Sequence, residues 1–103
     1  MHGSSSVPPE IVAEVNQYGG KIDGSKGVPE TLLAKVAPYG VCKVNIDTDL
    51  RLAWFAAMRR ELSLHPDNFD PRNTFLPAIE QVATLVAHKT EILGSAGHLS
   101  DFK

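Results

Sequence analysis

The apolar positions of this 103-residue chain fall into four stretches of helical spacing and one short run of a different kind. After Val7-Pro8-Pro9-Glu10, where proline pre-organises a first turn and Glu10 faces the positive end of the helix dipole, Ile11, Val12 and Val15 share one face. Gly19-Gly20 closes this helix, and Gly20 to Gly27 reads as a polar surface loop without periodicity. Pro29-Glu30 opens a second, short helix on Leu32, Leu33 and Val36, stopped by Pro38 and Gly40. Thr48 begins a third, with Leu50, Ala53, Trp54, Ala57, Met58 and Leu62 on one stripe and an end near Leu64, because Pro66 follows. His65 to Asn73 reads as a loop, and Leu76, Ile79, Val82, Val86 and Leu93 mark a last long helix ended by Gly94, with Gly97 beyond and an irregular tail.

The exception is Val41-Cys42-Lys43-Val44-Asn45-Ile46, short, β-rich and bounded by Gly40, which predicts one strand. Val44 and Ile46 would face one way, Lys43, Asn45 and Asp47 the other. A helix, a glycine and then a strand is half of a βαβ unit, so the pattern points to the α/β class. A lone strand cannot pair with itself, and parallel strands are covered on both faces. The neighbours that such a strand requires are not encoded in these residues.

Composition narrows the picture without supplying a function. A make-up of 43% hydrophobic and 21% charged residues suits an ordinary globular domain or a piece of one. The formal net charge of -2 gives no electrostatic case for nucleic acid or an anionic membrane, and Arg59-Arg60 is too small to be a basic patch. Cys42, the single cysteine, cannot form an internal disulfide; in its apolar run it reads as a buried, reduced thiol, which favours a cytoplasmic setting. No stretch approaches the roughly 20 apolar residues of a membrane helix.

Two segments carry candidate chemistry. In His2-Gly3-Ser4-Ser5-Ser6 an imidazole can ligate a divalent metal, and glycine and serine between a strand end and the Pro8 helix can gather backbone N–H groups and hydroxyls around an anion. On those residues alone an expression scar is an equal alternative. Asn45-Ile46-Asp47-Thr48-Asp49 stands at the carboxyl end of the predicted strand, where α/β proteins bind substrates. Thr48 or Asp47 also suits the N-cap of the third helix. His65, His88 and His98 lack metal-ligand spacing and read as solvent-exposed, Trp54 and Phe55 as core or interface, and Arg51 and Arg72 as surface charges unless a specific reason promotes them.

Taken in order, His2 to Pro8, Gly40 to Ala53 with its Asn45-Ile46-Asp47-Thr48-Asp49, Phe69-Asp70-Pro71-Arg72 and Gly94-Ser95-Ala96-Gly97-His98 resemble the C-terminal third of class II fructose-bisphosphate aldolases, most closely the branch that includes Calvin-cycle enzymes. Four collinear motifs make the scar reading of His2 secondary. The resemblance implies a zinc-dependent (β/α)8 barrel, a fold of about 250 residues. Residues 1–103 would then be the C-terminal part of one barrel domain, with the end of strand seven, strand eight and the surrounding helices.

The resemblance makes His2 one of three zinc ligands and gives Gly3, Ser4 and Ser5 the phosphate of the dihydroxyacetone phosphate half, joined by Asn45, Ile46, Asp47 and Thr48. It gives Arg51, and in second place Arg72, the other phosphate, reached across a subunit boundary of a homodimer or homotetramer; bidentate geometry suits arginine to that task. It implies reversible aldol cleavage of fructose 1,6-bisphosphate in glycolysis, gluconeogenesis or the Calvin cycle, with zinc polarising the ketose carbonyl and a monovalent cation as a further cofactor. The remaining zinc ligands and the proton-moving aspartate have no counterpart here, so the chain alone should be inactive. The rivals are a tagatose-bisphosphate aldolase and a non-catalytic helical interaction remnant.

Overall fold

The computed structural model describes residues 5–22 and 27–102, the side chains of Leu99 and Phe102 excepted. Helix α1 spans Pro9–Gln17, α2 Glu30–Leu33, α3 Thr48–Leu64 and α4 Pro71–Ile92, with short 3-10 turns at Ala37–Tyr39 and Leu99–Phe102. The two long helices form the body. α4 packs along α3, and α1 lies against α3.

The α3 and α4 backbones come close because small residues line the contact. Ala53, Ala56 and Ala57 recur at the three- and four-residue spacing that puts them on one helix face, and all three are fully buried together with Ala78 of α4. Leu52, Leu85, Val15 and Leu33 complete the buried apolar set. Beside it the Trp54 and Phe75 rings sit 5.9 Å apart at 38°. Arg60 ties the three helices at the edge, donating to Glu14 Oε1 at 2.7 Å and to Gln81 Oε1 at 3.1 Å.

Several expectations change. Residues 41–47 carry no strand, and no strand occurs among the described residues. A strand is defined by its ladder, and these residues provide no second strand to pair with. Cys42 is exposed rather than buried, as follows when its segment lacks covering neighbours. The loop after α3 is shorter than His65 to Asn73. Asp70 is the N-cap of α4, its Oδ1 accepting from Arg72 N–H at 3.0 Å, and Pro71 takes the first helical position, where its missing N–H costs nothing.

The largest difference lies in which face of α4 is inside. The apolar stripe Leu76, Ile79 and Val86 is about half exposed, whereas Thr74, Ala78, Leu85 and Lys89 are buried. Small residues on α4 let α3 approach, and the larger apolar side chains are left on the outer side together with Leu62 and Phe55 of α3. The molecule is correspondingly thin, 49 × 36 × 17 Å. Its surface of 7186 Å² exceeds the about 5,700 Å² expected of a compact 11.2 kDa monomer.

A core made largely of alanines buries too little apolar surface to offset much chain entropy. We expect the isolated 103-residue chain to melt over a broad temperature range and to self-associate as its concentration rises. Calorimetry with light scattering checks this, and a sharp, concentration-independent transition would show that the alanine core suffices.

Candidate functional site

The two chemistry-bearing segments meet. Ser5 Oγ accepts from the backbone N–H groups of Asp47 at 3.3 Å and Thr48 at 3.2 Å, so its hydroxyl sits on the N-terminus of α3. These are among the donors that a helix start leaves without internal partners. Asp47 occupies the N-cap position, yet its side chain makes no capping bond and pairs instead with Arg51 one turn along. The capping expected of Asp47 or Thr48 is thus performed by a serine more than 40 residues away in sequence.

The residues after Ser5 are held by a buried ionic cluster that sequence reasoning missed. Asp49 is fully buried and accepts from Ser6 N–H at 3.0 Å, Ser6 Oγ–H at 2.5 Å and Val7 N–H at 2.8 Å. Lys89, 4% exposed, reaches in from α4 to Asp49 Oδ2 at 2.9 Å, Ser6 Oγ at 2.6 Å and Glu30 Oε1 at 2.8 Å. The other oxygen of Glu30 lies 2.9 Å from His88 Nε2. Burial pushes the Asp49 carboxyl up, but the bonds from Ser6, Val7 and Lys89 outweigh it and hold its pKa below the ordinary aspartate value. Glu30 is lowered in the same way: burial raises it, and Lys89 and His88 more than offset the rise.

The backbone here is shaped for this arrangement. Val7 has φ of 49°, a left-handed conformation that a β-branched residue rarely adopts. Its N–H is thereby turned to Asp49 Oδ1. On the other side Val28 N–H donates to Ser5 O at 2.9 Å, and a Cβ on Gly27 would lie 1.9 Å from that oxygen. Only glycine allows so close an approach. Gly27 therefore belongs to the wall of the site rather than to a free surface loop.

The remaining predicted residues distribute as follows. His2, Gly3 and Ser4 lie outside the described residues. Asn45 and Ile46 are half-buried, and Asp47, Thr48 and Arg51 are exposed. Arg72 is clamped to its own cap, with Nε 3.1 Å from Asp70 Oδ1 and Nη2 2.7 Å from Oδ2. It sits at the far end of α4 from Lys89, about 25 Å from it at 1.5 Å per residue. Within one chain Arg72 and the Ser5 loop are thus apart. His65, His88 and His98 are exposed, as expected.

The family model for "Fructose-bisphosphate aldolase class-II" matches residues 1–98. The chain belongs to the class II fructose-bisphosphate aldolase family. A fructose-bisphosphate aldolase of Treponema pallidum is 53% identical over 98 residues, which cover 94% of this chain and 30% of that protein. Aldolases of Pseudomonas aeruginosa and Giardia intestinalis are 47% and 41% identical over 103 residues, covering all of this chain and 29% and 32% of theirs. The chain spans about three tenths of the length of the curated relatives it matches.

Among the described residues the family's metal finds no complete site. No three His, Cys, Asp or Glu among the described residues are placed to hold a metal ion. What the described residues provide is a helix N-terminus with the Ser5 hydroxyl on it and the buried Asp49 carboxylate behind.

The lowered pKa of Asp49 fixes the direction of its pH effect. A carboxyl depressed in the fold contributes its full stability above the ordinary value of 3.8, and that contribution is lost as pH falls below it towards the folded pKa. The helix content of wild type should therefore exceed that of Asp49→Asn most at neutral pH, and the gap should close on acidification below that value. Circular dichroism across an acid titration reads this directly; a gap independent of pH would show that the Asp49 charge is not what the fold uses.

Proposed function

We propose that this chain is the C-terminal part of a class II aldolase barrel, holding the end of strand seven, strand eight and the surrounding helices. In the complete enzyme it supplies one wall for the reversible cleavage of fructose 1,6-bisphosphate to dihydroxyacetone phosphate and glyceraldehyde 3-phosphate. The observation that carries this reading is the seating of Ser5 on the Asp47 and Thr48 N–H groups. It joins the His2 to Ser6 and Asn45 to Thr48 motifs, which family resemblance assigns to one phosphate.

The chemistry suits that assignment. A helix N-terminus carries a partial positive charge, and the Ser5 hydroxyl that accepts from its N–H groups keeps its own proton to donate, so a phosphate oxygen arriving at the serine loop meets complementary groups. Gly3, Ser4 and Ser5 with Asn45, Ile46, Asp47 and Thr48 orient the phosphate and leave the carbonyl end to other parts of the enzyme. Orientation of this kind lowers the barrier by fixing the reacting carbons relative to the catalytic groups. Arg51, exposed on the first turn of α3, is available to a second phosphate once it leaves Asp47. Arg72 is the less favoured candidate, since its guanidinium is already held by Asp70.

His2 is the one zinc ligand this chain would contribute, so the 103 residues alone have no catalytic centre. The uncovered apolar stripe of α4 and the large surface of the thin helical layer support burial within a larger body, either the rest of the barrel or a second subunit of a homodimer or homotetramer. We place the enzyme in the cytoplasm. No described helix is long and apolar enough to cross a membrane.

The complete polypeptide that carries this segment should cleave fructose 1,6-bisphosphate and lose that activity to a chelator, while the purified 103-residue chain gives no turnover. Activity that persists in chelator excludes the class II reading, and turnover by the chain alone excludes its role as one wall of the site. In the complete enzyme Asp47→Ala should lower kcat/KM by about tenfold or more, beyond any change in melting temperature. Normal kinetics would return Asp47 to a purely local partner of Arg51.

A further inference from the structure

The buried cluster behind the serine loop has a composition that packing alone does not call for. Three residues from three distant parts of the chain converge: Ser6 before α1, Asp49 in the first turn of α3 and Lys89 in the last turns of α4. Lys89 Nζ donates to Ser6 Oγ, and Ser6 Oγ–H donates to Asp49 Oδ2, to which Lys89 is also paired. The same carboxylate takes the backbone N–H groups of Ser6 and Val7. These bonds converge on two adjacent residues, the ones immediately following Ser5.

Asp49 and Lys89 are buried, and the Ser6 hydroxyl is bonded to both of them. Asp49 is a full negative charge one residue beyond Thr48, and if exposed it would repel a phosphate at the helix N-terminus. Its burial, with a cation 2.9 Å away, removes that repulsion and turns the carboxylate into an acceptor for the loop backbone. We propose that Ser6, Asp49 and Lys89 are positioning residues: they clamp the Ser6–Val7 backbone to α3 and α4 and so fix Ser5 on the helix N-terminus for the phosphate of the substrate. This rests on the aldolase reading and adds to it a part played by the C-terminal turns of α4, which carry Lys89.

The clamp is local to the phosphate end, so its loss acts on binding before chemistry. A variant that merely folds less well reduces the active fraction and lowers kcat with KM unchanged; a displaced phosphate loop raises KM. Ser6→Ala is the mildest probe, because it removes the bridging hydroxyl and leaves the Asp49 to Lys89 pair intact. Lys89→Met strips the pair of its cation. Should that variant fail to fold, Asp49→Asn/Lys89→Met removes both charges, and the amide it places at this position has a single acceptor oxygen where the carboxylate offered one to each loop N–H.

In the complete enzyme we expect Ser6→Ala to raise KM for fructose 1,6-bisphosphate about tenfold with kcat within about threefold of wild type, and whichever of the two Lys89 variants folds to raise it further, all with zinc content retained. Hydrogen exchange at the Ser6 and Val7 amides should accelerate in each variant. Unchanged KM with reduced kcat overturns the positioning role, and unchanged exchange at Ser6 and Val7 overturns the clamp itself. A wild-type enzyme without aldolase activity would refute the aldolase reading instead; accelerated exchange in the variants would still support the clamp.

Discussion

The arrangement of this chain depends on one buried ion pair, Asp49 with Lys89. Two charges removed from water are costly, and their mutual attraction repays the cost only when the remaining hydrogen-bonding capacity is filled. Here it is filled: the carboxylate accepts from two backbone N–H groups and a hydroxyl, the ammonium also reaches Ser6 and Glu30, and no buried described side-chain polar atom lacks a partner. Removing either partner would leave the other uncompensated, a loss of about 3–5 kcal/mol for pairs of this kind. The pair also sets the register of α4 against α3, since a helix rotated or shifted by one residue would carry Lys89 away from Asp49.

From that anchor the unusual backbone around Ser5 follows. Val7 adopts a left-handed conformation costing about 1–3 kcal/mol for a residue of its type, and it persists because Asp49 holds its N–H. Gly27 comes close enough to Ser5 O that no side chain could be there. Strain on one side and close approach on the other confine the serine to a single position over α3. The helix supplies the field, the ion pair the rigidity, and the glycine the room.

Much of this is legible in the residues, and the illegible parts have physical reasons. Pro9, Pro29 and Pro66 punctuate the helices, and the starts and ends read from them stand. The start of α4 is present in Asp70-Pro71, an N-cap followed by proline at the first position, but Asp-Pro also makes turns and so reads equally as loop. The inner face of α4 is hidden because hydrophobic periodicity identifies an apolar stripe, not the partner it meets; the alanines of α3 select the small face with Thr74 and Ala78. Lys89 is invisible, since a lysine is almost never fully buried unless paired, and its partners Ser6 and Asp49 stand 83 and 40 positions away. The predicted strand shows the reverse case: Val41 to Ile46 has the composition, but its ladder requires another segment.

The 83-residue separation between Ser6 and Lys89 has a temporal side. At synthesis rates of 5–20 residues per second, about 4–17 s pass between the appearance of these two residues. Throughout that interval the serine loop lacks its cation, and Asp49, once made, carries a charge with nothing buried beside it. The Ser6–Val7 segment is thus fastened only when α4 arrives, and it stays without its buried cation while the intervening residues are being synthesised.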